Sequence, residues 1–179
     1  MAARICLIWA QDLNGAIGHK NGLLFSLKED MRTFKAKTKG GVVVMGRKTY
    51  TSLPFAAGLP DRYNVVVSRD PEFYVADSLF VEVVNDFDAY MKRQQVSGNT
   101  LWVIGGAEIY QQAMKYATEL HVTHVYTNEP HVDAYAPKID DQYWGEVEST
   151  AVHVDDKTTL SYCISIYKPK KKILHLKKK

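Results

Sequence analysis

Short, predominantly apolar runs recur along this chain at residues 4–10, 42–45, 63–68 and 101–104, each bounded by glycine or polar residues. Runs of that length and continuity suit strands buried on both faces. The segments between several of them carry a helical period instead. Ser26-Leu27-Lys28-Glu29 matches a capping box, in which the serine and glutamate side chains each satisfy a free amide at a helix start, so a helix is predicted over residues 27–38, stopped by Gly40-Gly41. A short helix is predicted over residues 48–53 after Gly46. Phe87, Tyr90 and Met91 mark another over residues 86–95, and Gly105-Gly106 opens one that runs to Tyr116. With a further strand at residues 79–84, strands alternating with helices define an α/β chain with a largely parallel sheet. Residues 11–25 read as a polar, glycine-bearing loop. The last third changes character: residues 120–127, 146–154 and 158–167 are predicted strands with no helix between them. Leu160, Tyr162, Ile164 and Ile166 alternate there, and residues 155–157 supply the turn of an antiparallel hairpin at the sheet edge.

At 179 residues, 46% hydrophobic and 24% charged, the chain can bury one compact core, which excludes a disordered or low-complexity protein. Its formal charge of +3 averages two unlike regions. Residues 168–179, KPKKKILHLKKK, hold seven lysines and no acid; removing them from 23 Lys and Arg leaves 16 against 20 Asp and Glu, a formal −4. Residues 1–167 are therefore read as the folded domain, and 168–179 as a basic, disordered tail. An acidic body does not track a nucleic-acid backbone, so contact with nucleic acid is confined to the tail. Cys6 and Cys163 stand far apart in strand-like runs, without disulfide or zinc-ribbon spacing. No run reaches transmembrane length, and the amino terminus lacks a signal peptide's apolar core. A soluble protein in a reducing, cytoplasmic setting is the expectation, with no membrane contact.

Two strand ends deliver glycine into a helix start, at Val44-Met45-Gly46-Arg47-Lys48-Thr49 and Val103-Ile104-Gly105-Gly106-Ala107-Glu108. Free amides and the positive dipole end at such junctions suit an anion, and two of them in one sheet suit a pyrophosphate. Neither is a complete dinucleotide fingerprint or P-loop, and tight turn geometry alone also selects glycine. Asp30 lies among Leu27, Met31 and Phe34, where a carboxylate is costly without a partner. It is a candidate for holding a cationic or amidine-like heterocycle, against the plainer reading of an acid near a helix amino end. Arg62 and Arg69 flank the third apolar run, and Arg62 stands where a guanidinium can take a carboxylate bidentately. Of the six histidines, His121 and His124 point to opposite faces of a strand and the others form no ligand spacing with them, so no metal is assigned.

In order and spacing, ICLIWAQDLNGAIG, LKEDMRTFKAKT, VVVMGRKTYTSL, LPDRYNVVVSR, LWVIGGAEIYQQAM, LHVTHV and SYCISIY resemble the motifs of dihydrofolate reductases, over residues 4–167. The resemblance implies a single-domain fold with an eight-stranded, mostly parallel sheet, helices on both faces and an antiparallel C-terminal strand. It implies NADPH-dependent reduction of 7,8-dihydrofolate to 5,6,7,8-tetrahydrofolate, with hydride passing to C6 and a proton to N5, in a monomer whose partners are small molecules. By motif, Asp30 matches the carboxylate that holds the pterin, Thr123 its supporting hydroxyl, and Leu23 the loop residue over the reacting rings. Phe34 and Leu53 match residues that pack on pterin and benzoyl rings, and Arg62 the partner of the substrate's α-carboxylate. The carbonyls of Ile8 and Ile104, with Tyr110 beside them, match the pterin-amine end. On the cofactor side, Ala10, Ala16, Ile17, Gly18, Gly22 and Leu23 cover the nicotinamide. Lys48 and Thr49, with the amides of Gly106, Ala107, Glu108, Ile109 and Tyr110, would take the pyrophosphate, Gly46 and Gly105 being further cofactor-binding positions, and the Gly105-Gly106 bond resembles the family's cis peptide. Arg47, Ser68 and Arg69 surround the 2′-phosphate. The chain departs from the pattern at Leu24-Phe25, where Pro-Trp is usual, so the hydrogen bond that an indole N–H at that position gives to a water near the pterin is absent. It departs again at Asp133-Ala134-Tyr135-Ala136-Pro137, where Asp-Thr-x-Phe-Pro is commoner, and in the long apolar segment 54–58. Two other classes stay open to the residues alone: a reductase of the same fold acting on another pterin-like or pyrimidine substrate, and a non-catalytic binding module. Asp30 together with Arg62 separates the first from a folate reductase, and Asp30, Arg47 and Gly105-Gly106 speak against the second.

Overall fold

The computed structural model describes residues 2–76 and 78–171. In chain order the strands are β1 (Arg4–Gln11), β2 (Ala16–His19), β3 (Gly22–Leu23), β4 (Val42–Gly46), β5 (Tyr63–Val67), β6 (Val81–Val84), β7 (Thr100–Gly105), β8 (Glu119–Val125), β9 (Ala134–Tyr135), β10 (Trp144–Ser149), β11 (His153–Val154) and β12 (Ser161–Pro169). The helices are α1 (Lys28–Thr38), α2 (Arg47–Ser52), α3 (Phe87–Gln95) and α4 (Ala107–Ala113), the last continued by a 3₁₀ turn at Met114–Tyr116. Eight strands stand in the order β10-β12-β8-β1-β7-β4-β5-β6, with β11 added beside β12. All pairs from β8 through β6 are parallel, and β12 runs antiparallel to both β8 and β10. The mostly parallel sheet with an antiparallel carboxyl edge is the architecture expected from the pattern of the sequence.

The continuous apolar runs end up covered on both faces. Along β1, Ile5, Leu7 and Trp9 enter one core with Phe87, Tyr90, Met91, Ile109 and Tyr110 from α3 and α4, while Cys6 joins Met45, Tyr50 and Trp102 on the opposite side. A third cluster at the edge holds Phe25, Leu27, Val125 and Tyr162. Phe25, at one of the departures from the family pattern, is thus a core residue.

Four expectations are corrected. Residues 11–25 are not all loop: β2 pairs with β3 and, across the chain, with β9 in a separate three-stranded sheet. Four-residue and two-residue strands carry too little alternation to be seen in a sequence. The predicted strand over 146–154 divides into β10 and β11, with a register shift between Glu146 and Glu148. The capping box does not form, because Leu27 is the cap residue and no side chain caps the helix locally. The Lys28 amide instead donates to Asp155 Oδ1 at 3.2 Å, from the β11–β12 turn. Finally, β12 runs past residue 167: Lys168 and Pro169 pair with Gly145 and Trp144, and the Lys170 amide donates to the Tyr143 carbonyl at 2.7 Å. The rest of the basic tail, residues 172–179, lies outside the described residues.

Candidate active site

Leaving β1 the chain crosses outward to β4, β5 and β6, then returns through β7 to β8 on the other side of β1, so the carboxyl ends of β1, β4, β5 and β7 open on one crevice. The cleft there measures about 1570 Å³. At its apolar inner end Asp30, carried by α1, accepts a hydrogen bond from the Thr123 hydroxyl of β8 at 2.5 Å. Burial pushes the Asp30 carboxyl above its ordinary range; the Thr123 hydrogen bond and the charge of Lys37 pull it partly back. Ile8, Phe34, Leu53 and Ile104 line the same space. The Tyr110 hydroxyl donates to the Ile8 carbonyl at 2.6 Å, which fixes the end of β1 against α4. Burial pushes the Tyr110 phenol far up, so it stays a donor.

The other arm of the cleft is built from the two glycine turns. Gly105-Gly106 is a cis peptide, and Gly105 has φ +121°, a conformation side-chain-bearing residues rarely adopt. A Cβ at Gly46 would stand 3.1 Å from Ile109 Cγ1, and one at Gly105 would stand 3.3 Å from the Tyr110 hydroxyl. Glycine therefore lets the β4–α2 and β7–α4 turns close on each other. Lys48, Thr49, Ala107, Glu108 and Ile109 line the cleft beside them. Arg47 pairs with Asp70 at 3.0 Å and lies over the Phe73 ring, and Arg69 pairs with Glu108 at 3.6 Å. Both pairs are solvent-exposed, so a dianion arriving there competes with partners that are weakly held. Ser68, next to Arg69 in sequence, is buried, and its hydroxyl accepts from the Asp70 amide at 3.2 Å.

Ile17, Gly18, Gly22 and Leu23 of the small sheet overhang the cleft together with Ala10 and Ala134. Asp12 anchors that sheet: its carboxylate accepts the Asn14, Ala16 and Glu129 amides at 2.8 to 3.0 Å. Asp133 takes the Lys20 amide at 2.9 Å, so the second departure from the family pattern still ties the loop down. Leu23 itself is 80% exposed.

The structure gathers the sequence-assigned residues in this one cleft with two exceptions. Ala16 is fully buried in β2, so it does not line the cleft, and its amide donates to Asp12 Oδ1 at 2.9 Å. Arg62 also stands outside the lining and is 7% exposed. It donates to Thr38 Oγ1 at 2.8 Å, the Pro60 carbonyl at 2.5 Å and the Lys35 carbonyl at 3.5 Å. Among the described residues no carboxylate forms an ion pair with it, which leaves part of its five-donor fork without an acidic partner. Sequence reading missed Trp9, Phe87 and Asn85 in the lining, and had Phe55 only as part of the apolar segment 54–58. Trp9 was the most accessible of these, since it lies between Ile8 and Ala10, both of which were singled out.

The family model described as dihydrofolate reductase matches residues 4–169. The chain belongs to the dihydrofolate reductase family. Relatives include the dihydrofolate reductase of Mycobacterium tuberculosis, 38% identical over 78% of this chain and 84% of its own, and that of Neisseria meningitidis, 38% identical over 92% and 97%. The dihydrofolate reductase of Bacillus subtilis is 32% identical over 93% and 95%. Among solved structures, dihydrofolate reductase from Enterococcus faecalis complexed with NADP(H) and RAB-propyl superposes with a TM-score of 0.82 at 24% identity, covering 93% of this chain and 96% of that one. That likeness shows the fold. Among the described residues no helix is long and apolar enough to cross a membrane.

Proposed function

We propose that this chain reduces 7,8-dihydrofolate to 5,6,7,8-tetrahydrofolate with NADPH, as a cytoplasmic monomer acting on small molecules and not on nucleic acid. The observation that carries the reading is Asp30, a carboxylate held by Thr123 at the apolar end of a cleft whose other arm is lined with glycine turns and cations. Membership of the family and the names of its relatives support the same activity.

The residues present fit the cofactor. Close approach at Gly46, Gly105 and Gly106, where a side chain would fill the space, suits a pyrophosphate, with Lys48 and Thr49 as the nearest side-chain donors. Arg47, Arg69 and Ser68 stand together at the carboxyl ends of β4 and β5, the place for a 2′-phosphate. NADPH supplies the hydride when bound. Asp30 accepts two hydrogen bonds from the pterin's amino group and ring N–H and so orients the ring, while the Ile8 and Ile104 carbonyls face the amine from the other side. Burial raises the affinity of Asp30 for a proton, which water relays to N5. Phe34 and Leu53 pack on the rings, Arg62 takes the α-carboxylate of the glutamate tail, and Ile17 to Leu23 exclude water.

The deciding experiment is an absorbance assay of NADPH oxidation on the wild-type protein with 7,8-dihydrofolate, repeated with NADH. Turnover that requires both dihydrofolate and the reduced cofactor supports the reading, and a flat trace with dihydrofolate refutes it.

A further inference from the structure

Helix α1 meets β8 at a second place. Asp30 and Lys37 are seven residues apart, close to two turns, so they share one side of the helix; His121 and Thr123 alternate along β8 and share one face. The pairs meet as two rungs, Thr123 with Asp30, and His121 Nδ1 with Lys37 Nζ at 3.0 Å. Behind the second rung His121 Nε2 lies 2.8 Å from Glu119 Oε2, and Glu119 also accepts Arg4 Nε and Nη2, each at 2.9 Å, and the Cys6 thiol at 3.7 Å.

One pattern of protons satisfies every contact. The Arg4 hydrogen bonds hold the Glu119 carboxyl down at about 2, so it only accepts. His121 Nε2 therefore carries the hydrogen, and Nδ1 accepts from the Lys37 ammonium. Burial keeps His121 below its ordinary value and so neutral near pH 7. The Cys6, Glu119 and His121 ligand atoms lie within 4.8 Å of one another, close enough for a metal ion. Yet Glu119 and His121 are already engaged, cations flank them on both sides, and burial pushes the Cys6 thiol up to about 12. The cluster is a strut between β1, β8 and α1 rather than a cation site.

We propose that Lys37 is a positioning residue for Asp30: Arg4, Glu119 and His121 pin its ammonium against β8, fixing a positive charge and a docking point for α1 beside the carboxylate that the reaction uses. The proposal rests on the reading of Asp30 as the working carboxylate. Other charged or titratable groups nearby are Glu29 on α1, Glu148 on β10, His153 on β11, Asp155 in the following turn, Tyr162 on β12 and, also on β12, Lys168, whose ammonium lies 3.9 Å from Glu119 Oε1. Among the described residues none of them hydrogen-bonds to the side chain of Asp30 or Lys37. Removing the Lys37 charge leaves the burial of Asp30 less opposed, so its carboxyl titrates higher.

Lys37→Gln keeps a donor for His121 but removes the charge, Lys37→Arg keeps the charge, and His121→Phe releases the ammonium from β8. Two readouts apply: the pH titration of the Asp30 carboxyl carbon by NMR in the free protein, and the pH profile of hydride transfer with NADPH and dihydrofolate. The expected result is an upward shift of both in Lys37→Gln and His121→Phe, with Lys37→Arg titrating as the wild type does. A Lys37→Gln protein whose Asp30 titrates with the wild type overturns the proposal; if that variant does not fold, an unshifted His121→Phe overturns it instead. The NMR titration needs no turnover, so an inactive wild type counts against the reductase reading while the coupling is still measured.

Discussion

Asp30 sits where its own chemistry costs stability. Its carboxyl is raised in the fold, so between the ordinary carboxylate range and that raised value the native state holds a proton the unfolded chain has lost. Stability therefore falls as pH rises through that window, and at neutral pH the fold carries a buried charge it would be better without. Asp30→Asn should slow hydride transfer by orders of magnitude at neutral pH, leave NADPH affinity nearly unchanged, and raise the melting temperature. Each kcal/mol relieved is worth about 2–4 °C in a chain of this size. The gain should shrink as the melts are moved to acid pH; a gain that grows there would contradict the assignment of a raised carboxyl. A second prediction concerns the arginines. Arg47→Ala with Arg69→Ala should weaken NADPH by about 10–100-fold, as expected for lost charge-assisted bonds, and NADH far less, as titrations of cofactor fluorescence would read; equal losses would move the 2′-phosphate elsewhere. Asp30 was a candidate because an acid among Leu27, Met31 and Phe34 is locally anomalous, but it was the ordered set of motifs that set aside the plainer reading of an acid near a helix amino end. Lys37 was not, because the histidine that gives it a place lies 84 residues away.

Helix α1 is held chiefly by polar links. Thr38 is its one buried residue, and its fixed points are the Lys28 amide on Asp155, Asp30 on Thr123, Lys37 on His121 and the Thr38 hydroxyl accepting from Arg62. Its apolar pattern located the helix, but it could not say what docks it, since each partner is distant in sequence. The amino end shows the difference. A capping box would make Ser26→Ala cost about 1 kcal/mol, whereas the structure leaves Ser26 exposed and gives the Lys28 amide to Asp155. Asp155 also accepts the Thr158 amide and hydroxyl, each at 2.8 Å, and those contacts hold its carboxyl below the usual range. Its contribution is thus present above the ordinary carboxylate range and lost as pH falls toward the depressed value. Ser26→Ala should melt with the wild type, and Asp155→Ala should melt lower at neutral pH, the gap narrowing in acid. Thermal melts at two pH values decide, and a loss in Ser26→Ala matching that in Asp155→Ala would restore the local cap.

At the scale of the molecule, topology divides the chain into a part that makes the cleft and a part that closes the sheet. Every residue lining the cleft falls between Ile8 and Ala134. The largely parallel sheet was readable because most of its strands are predominantly apolar runs; the edge was read less well, because the alternating pattern ends at Tyr167 and the lysine run begins at residue 168, which together drew the domain boundary at residue 167. Past Tyr167 the strand is no longer paired with β8, so a lysine there reaches solvent while the backbone still pairs with β10. Here Lys168 and Pro169 complete the β10–β12 ladder over Trp144, which is 4% exposed, and Lys170 bonds to the Tyr143 and Asp141 carbonyls. Two truncations should therefore differ. Ending the chain after Lys171 removes only residues beyond those contacts and should leave melting temperature and reductase turnover at wild-type values. Ending it after Tyr167 strips the last rungs from β10 and uncovers Trp144, which should cost roughly 1–2 kcal/mol and lower the melting temperature while turnover of the folded fraction persists, since no cleft residue is touched. Indole fluorescence would follow the uncovering of Trp144 directly. Equal melting of both truncations with the full chain would put the domain boundary back at residue 167, and loss of turnover in the longer one would give the tail a part in the site.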